Sequence, residues 1–187
     1  MPICSVGDAN IGQSGAINYF IASENGLMGE NNLEAAQIIS VLEHLKEVNT
    51  SFRSIVPYGT EPTEEALNKW FEEGATDSTG PADRAGHSTR FLTWWMGRIE
   101  AALAEKGFAV GNKLSLADVM LYFMFAEHLR DEECAADFPK FKREAFCDKA
   151  RTDAKVVQFP KIKASCDAVA NNANIQKWLA MRGVQGC

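Results

Sequence analysis

The stretch Val110-Gly111-Asn112-Lys113-Leu114-Ser115-Leu116-Ala117-Asp118-Val119-Met120-Leu121-Tyr122-Phe123-Met124-Phe125 decides the fold. Ser115 stands three residues before Asp118, at the head of an apolar run. Its hydroxyl is placed to accept the Asp118 N–H, and the Asp118 carboxylate to accept the Ser115 N–H. That is a capping box, with Asp in place of the commoner Glu. Leu114 and Val119 have the spacing of a hydrophobic staple. Beyond the cap, Leu116, Val119, Met120, Leu121, Phe123, Met124 and Phe125 cover nearly every direction around the axis. A helix apolar on all sides lies inside a domain. The cap should contribute about 1 kcal/mol. A mostly α fold around one central helix is expected, with Val119, Leu121 and Phe125 among the least exposed residues.

Working outward, Phe91, Leu92, Trp94, Trp95, Ile99, Ala102 and Leu103 define a helix that the sequence ends at Gly107. Trp94 and Trp95 point in adjacent directions, so one should be buried and the other near the surface. Asn31 caps a long helix to about Phe52, with Glu34 three residues on and Ala35, Ile38, Leu42 and Leu45 at helical spacing. Thr63 to Glu73 is a short amphipathic piece, and Gly74 to Gly86 reads as a loop. Asp131 to Asp153 is highly charged and is expected to wrap the bundle. Phe159-Pro160 opens another helix, with Pro where its missing N–H costs nothing. A last helix follows from Asn174. At the N-terminus, Pro2–Val6 and Ala9–Ile11 read as a hairpin, and Gln13-Ser14-Gly15 opens a helix with Ser14 as cap candidate.

Composition narrows the function. The chain has 187 residues, 46% apolar and 24% charged, with net charge -6 and no basic cluster, which argues against nucleic-acid binding. Its longest apolar run, broken by Ser115 and Asp118, is too short to span a bilayer. No secretory signal is visible. The odd count of five cysteines, Cys4, Cys134, Cys147, Cys166 and Cys187, shows no metal-ligand spacing. Reduced thiols in the cytoplasm or another reducing compartment are expected. His44, His87 and His128 are scattered and read as structural or solvent-facing, and no metal site is expected.

Three stretches resemble the cytosolic glutathione S-transferases of sigma, mu, alpha and pi-like type. Gly111–Asp118 resembles the capping box and staple of that family's helical domain. Pro2-Ile3, then Gln13-Ser14-Gly15-Ala16-Ile17, then Gly26-Leu27-Met28-Gly29 resembles the last third of its glutathione-binding domain. Phe159-Pro160-Lys161, Val169 and Ile175–Arg182 resemble its C-terminal helices. The resemblance implies a partial thioredoxin-like domain over residues 1–30, a ββα remnant, and an all-α domain of the family's C-terminal type over 31–187. It also implies glutathione as substrate. Pro2 would carry a cis bond after Met1 and, with Ile3, face the peptide part of glutathione. Gln13 and Ser14 would hold the γ-glutamyl end, as free N–H groups and a positive dipole end at a helix start suit a carboxylate. Glu43 falls where several classes reach the neighbouring subunit's glutathione, across a dimer interface built by the long helix.

The family's catalytic Tyr, Ser or Cys lies on a strand that the chain, starting at the third strand, does not contain. The expectation is an N-terminally truncated member with no catalytic residue of its own. It would conjugate glutathione to small electrophiles if completed. A two-stranded sheet is marginal alone and leaves an open edge, so a homodimer mate or a protein partner should cover it. The alternative is a non-catalytic structural subunit that uses the helical bundle as a docking surface.

Overall fold

The computed structural model describes residues 2–72, 90–105, 107–126, 146 and 148–181. Two short strands come first, β1 (Ile3–Val6) and β2 (Ala9–Gly12), followed by eight helices among the described residues. They are α1 (Ser14–Glu24), α2 (Asn32–Ile55), α3 (Glu64–Glu72), α4 (Leu92–Ala102), α5 (Leu116–Phe125), α6 (Lys149–Val156), α7 (Pro160–Ala170) and α8 (Ala173–Met181). The molecule is mostly α, as expected. The strands pair antiparallel, with Ile3 opposite Gly12 and Val6 opposite Ala9. Gly7 takes φ 57 at the turn, a conformation glycine adopts without penalty.

Helix α5 is the centre of the bundle. It packs along α7 and α2, while α4 closes against α2 and α7. Ile38, Val41, Leu45, Val48 and Phe52 form one buried stripe on α2, at alternating spacings of three and four. Phe52 meets Trp70 of α3 edge-on, with ring centroids 5.4 Å apart, and Phe125 meets Phe146 at 5.1 Å.

Most helix starts carry a side-chain acceptor. Asn31 Oδ1 takes the N–H groups of Leu33 and Glu34, each at 3.0 Å. Thr63, Asp148 and Asn172 serve α3, α6 and α8. The α7 start is served from outside: Glu100 of α4 accepts the Lys161 and Ile162 N–H groups at 2.8 and 2.9 Å. Only α1 and α4, among the described helices, begin without one.

The Ser115–Asp118 capping box is in place, and Asp118 Oδ2 accepts the Ser115 N–H at 2.8 Å. Asp118 does more than cap. It is fully buried, and Oδ2 also accepts the Ser115 hydroxyl at 2.7 Å. Oδ1 accepts the Ala109 N–H at 2.6 Å and the Ser165 hydroxyl of α7 at 2.7 Å. One carboxylate therefore joins the helix start, the preceding loop and a neighbouring helix.

Several expectations are corrected. Leu121 and Phe125 are buried, but Val119 is only half-buried and Phe123 is 49% exposed. An all-apolar helix in a bundle of this size still turns one line of residues outward. Helix α4 stops at Ala102, before Gly107, because the chain turns back so that Ala104 N–H donates to Ala109 O at 3.0 Å. Ser14 is the first helical residue, not the cap; the cap position belongs to Gln13. Most of the charged stretch Asp131–Asp153 lies outside the described residues; its end runs into α6, which buries Thr152, Lys155 and Val156. Trp95 is buried and Trp94 half-buried, as the sequence requires. The Met1–Pro2 bond, the loop from Gly74 to Gly86, His87, His128, Cys134, Cys147, Cys187 and Arg182 lie outside the described residues.

Candidate functional site

The hairpin register gathers the N-terminal site candidates at one end of the molecule. Ile3 lies opposite Gly12, so Pro2 and Ile3 stand beside the junction that leads into Gln13 and Ser14. All four are exposed. Gln13 has φ 70 and ψ 123, the one positive φ outside glycine among the described residues. A side chain with a Cβ avoids this region, which costs on the order of 1–3 kcal/mol. Its carbonyl nonetheless accepts the Ile17 N–H at 3.0 Å, the first bond of α1. The helix thus starts from a strained residue, and the residues of its first turn, Ser14, Gly15 and Ala16, are exposed.

A cation is held next to that helix start. A Cβ built on Gly15 would lie 3.8 Å from Lys46 Nζ. Lys46 is in turn paired with Glu43, one turn earlier on α2. Glu43 therefore reaches this end of the molecule through Lys46 of its own chain. Sequence reasoning missed Lys46: its spacing from Glu43 is legible, but the approach of α2 to α1 is a tertiary fact.

The ββα unit is fixed to the bundle at the central cap. Leu116 N–H donates to Leu27 O at 2.9 Å. Glu34 accepts the Glu30 N–H at 2.8 Å, and its side chain fills the space above Gly29 and Gly111. Gly29 has φ 79, and a Cβ there would lie 2.6 Å from Glu34 Cβ, so only glycine fits.

The other candidates carry no chemistry of this kind. His44 accepts from Arg98 Nε through Nε2 at 3.2 Å, so its Nδ1–H donates to Ser40 O at 2.7 Å, a structural pattern. Burial pushes the Cys166 thiol from 9.0 up to about 12, with the nearby Asp167 and Asp118 adding to it. It is no nucleophile at neutral pH. Cys4 is half-buried on β1. Among the described residues, no group of three His, Cys, Asp or Glu could hold a metal ion, and no helix is long and apolar enough to cross a membrane.

Comparison with known proteins adds the following. Residues 65–182 match the model of the glutathione S-transferase C-terminal domain. The chain is 26% identical over 182 residues to a putative glutathione S-transferase alpha-2 of Dictyostelium discoideum, covering 97% of this chain and 71% of that one. It is also 26% identical over 184 residues to a probable glutathione S-transferase 7 of Caenorhabditis elegans, covering 98% and 74%. In fold it is similar to a prostaglandin synthase D of Nilaparvata lugens, with TM-score 0.61, 19% identity and coverage of 99% and 75%. It is similar also to a monomeric glutathione S-transferase of Necator americanus, with TM-score 0.59, 23% identity and coverage of 100% and 76%.

Proposed function

We propose a function from one premise: the chain belongs to the glutathione S-transferase family. On that footing the start of α1 is the γ-glutamyl end of a glutathione site. The N–H groups of its exposed first turn and the Ser14 hydroxyl receive the ligand's carboxylate, with Lys46 adding positive charge beside them. Gln13 orients this turn, and Pro2 and Ile3 line the peptide side. The observation that carries the reading is Gln13 at φ 70. Backbone strain in a non-glycine residue persists where its surroundings over-determine it, and such residues cluster at binding sites.

The chemistry served is addition of the glutathione sulfur to a small electrophile lodged against the helical bundle. A thiol of ordinary pKa is only a few per cent ionised at neutral pH, so conjugation needs a donor aimed at the sulfur. We assign no such role to Pro2, Ile3, Gln13, Ser14 or Glu43. The donor would come from a polypeptide that covers the exposed apolar surface of Ile3, Val6, Tyr19 and Ile21. Apart from that donor, a second copy docking along α2 is the dimer partner we favour, in a reducing compartment; it carries the same residues and supplies no donor.

The test is conjugation of a general electrophile by the 187-residue chain, a Ser14→Ala variant and buffer. The chain should conjugate no faster than buffer. A clear rate abolished by Ser14→Ala would place the donor within these residues and overturn the assignment. Failure to bind glutathione at all would favour the docking-subunit reading.

A further inference from the structure

Helix α1 ends on Asn25-Gly26, the one Asn-Gly pair among the 187 residues. The two residues make a tight helix stop. The Gly26 N–H donates to Ser23 O at 3.3 Å and the Leu27 N–H to Ala22 O at 2.8 Å, a Schellman pattern with Gly26 at φ 68. Asn25 Nδ2 donates to Ile21 O at 2.7 Å and satisfies one more carbonyl of the last turn. Both residues are exposed, and a Cβ on Gly26 would meet nothing within 4 Å. Packing does not demand glycine here; the positive φ does.

The stop also carries the joint between the ββα unit and the bundle. Leu27, the next residue, accepts the Leu116 N–H at the start of α5, at 2.9 Å. A shift of Leu27 releases that contact.

An Asn-Gly pair has a reactivity of its own. Asn is one of the thermolabile residues. With no side chain on the following residue, the next backbone nitrogen can reach the Asn side-chain carbonyl carbon. In the closed stop, the bond to Ile21 O holds the Asn25 amide back along α1, so attack follows fraying of the last turn. The Gly26 N–H is the more loosely held of the two backbone donors.

We propose that Asn25-Gly26 is a deamidation site whose conversion loosens α1 from the bundle. Base takes the Gly26 amide proton, and the Gly26 nitrogen attacks Asn25 Cγ. The N–Cγ bond forms, the Cγ–Nδ2 bond breaks, and the amide nitrogen leaves as ammonia with a proton from water. Water then opens the cyclic imide at either carbonyl, giving aspartate or isoaspartate, with no oxidation or reduction. Both products lose the donor to Ile21 O and place a carboxylate at the negative end of α1, next to Glu24. Isoaspartate also adds a methylene to the main chain inside the ring that Leu27 N–H and Ala22 O close, which moves Leu27 away from Leu116. The proposal stands without the glutathione reading.

Ageing the folded full chain tests this, at neutral pH and one pH unit higher, with peptide mapping by electron-transfer fragmentation to separate isoaspartate from aspartate. Asn25 should convert while Asn31 and Asn49, exposed but followed by Asn and Thr, stay intact. The rate should rise about tenfold with the added pH unit, as the deprotonated amide does. Hydrogen exchange at the Leu116 N–H should be faster in the aged chain than in the fresh one, and Asn25→Asp, a fixed aspartyl product, should lower Tm. Asn25→Gln should age with no change in Leu116 exchange. The proposal is overturned if Asn25 survives as well as Asn31 and Asn49, if Leu116 exchanges alike in aged and fresh chains, if Asn25→Gln loosens on ageing as wild type does, or if Asn25→Asp melts with wild type.

Discussion

Replacing Asp118 with Ala should be far more damaging than loss of a helix cap. A cap contributes about 1 kcal/mol. Four donors converge on this carboxylate: the N–H groups of Ser115 and Ala109 and the hydroxyls of Ser115 and Ser165. The two hydroxyls can rotate to other acceptors. The two backbone N–H groups cannot, and each buried donor left unmade costs about 1–3 kcal/mol. The expected loss is therefore about 4 kcal/mol, with Tm lowered by roughly 8–16 °C for a chain of this size. Ser165→Ala, which removes one donor and leaves the carboxylate three, should cost only about 1 kcal/mol. Urea and thermal denaturation of both variants, with the double variant to complete a cycle, gives the numbers. A loss from Asp118→Ala of only about 1 kcal/mol would show that water or repacking replaces the carboxylate and that its non-local bonds carry no stability.

Three further outcomes follow from the geometry. Gln13→Gly should raise stability by about 1 kcal/mol by releasing the strain, while weakening any ligand at α1; a loss of stability on melting would mean that the φ 70 conformation is not strained. Gly29→Ala should destabilise by about 1–3 kcal/mol, since its Cβ would meet Glu34 at φ 79, and unchanged urea unfolding would refute that. Cys166 should resist thiol reagents at neutral pH in the native chain and react on unfolding, as peptide mapping would report. Because its thiol is raised from 9.0 to about 12, the unfolded chain ionises first. The associated stability is complete below pH 9.0 and is lost as pH climbs toward about 12.

Local signals proved legible where they depend on a few neighbours in the chain. Ser115 and Asp118 satisfy each other across three residues, and Asn31 caps α2 in the same way. The α2 stripe from Ile38 to Phe52 follows from period alone. What escaped is non-local. Nothing in the order of residues brings Ser165 or Ala109 to Asp118, or Lys46 to the start of α1. Glu34 has the spacing of a capping-box partner for Asn31, yet it takes the Glu30 N–H because Gly29 and Gly111 leave it room. Gln13 was hidden for another reason: no residue type announces a positive φ except glycine, and the strain comes from joining β2 to α1 without a spare residue. Phe123 has the composition of a core residue but lies exposed, because hydrophobicity has no direction until neighbours are in place.

Calorimetric titration of glutathione into the 187-residue chain tests the central claim most directly. Saturable binding at one site is expected, weakened about tenfold by Ser14→Ala through loss of one hydrogen bond to a charged group. No saturable binding to the folded chain, or binding unchanged in Ser14→Ala, would contradict it.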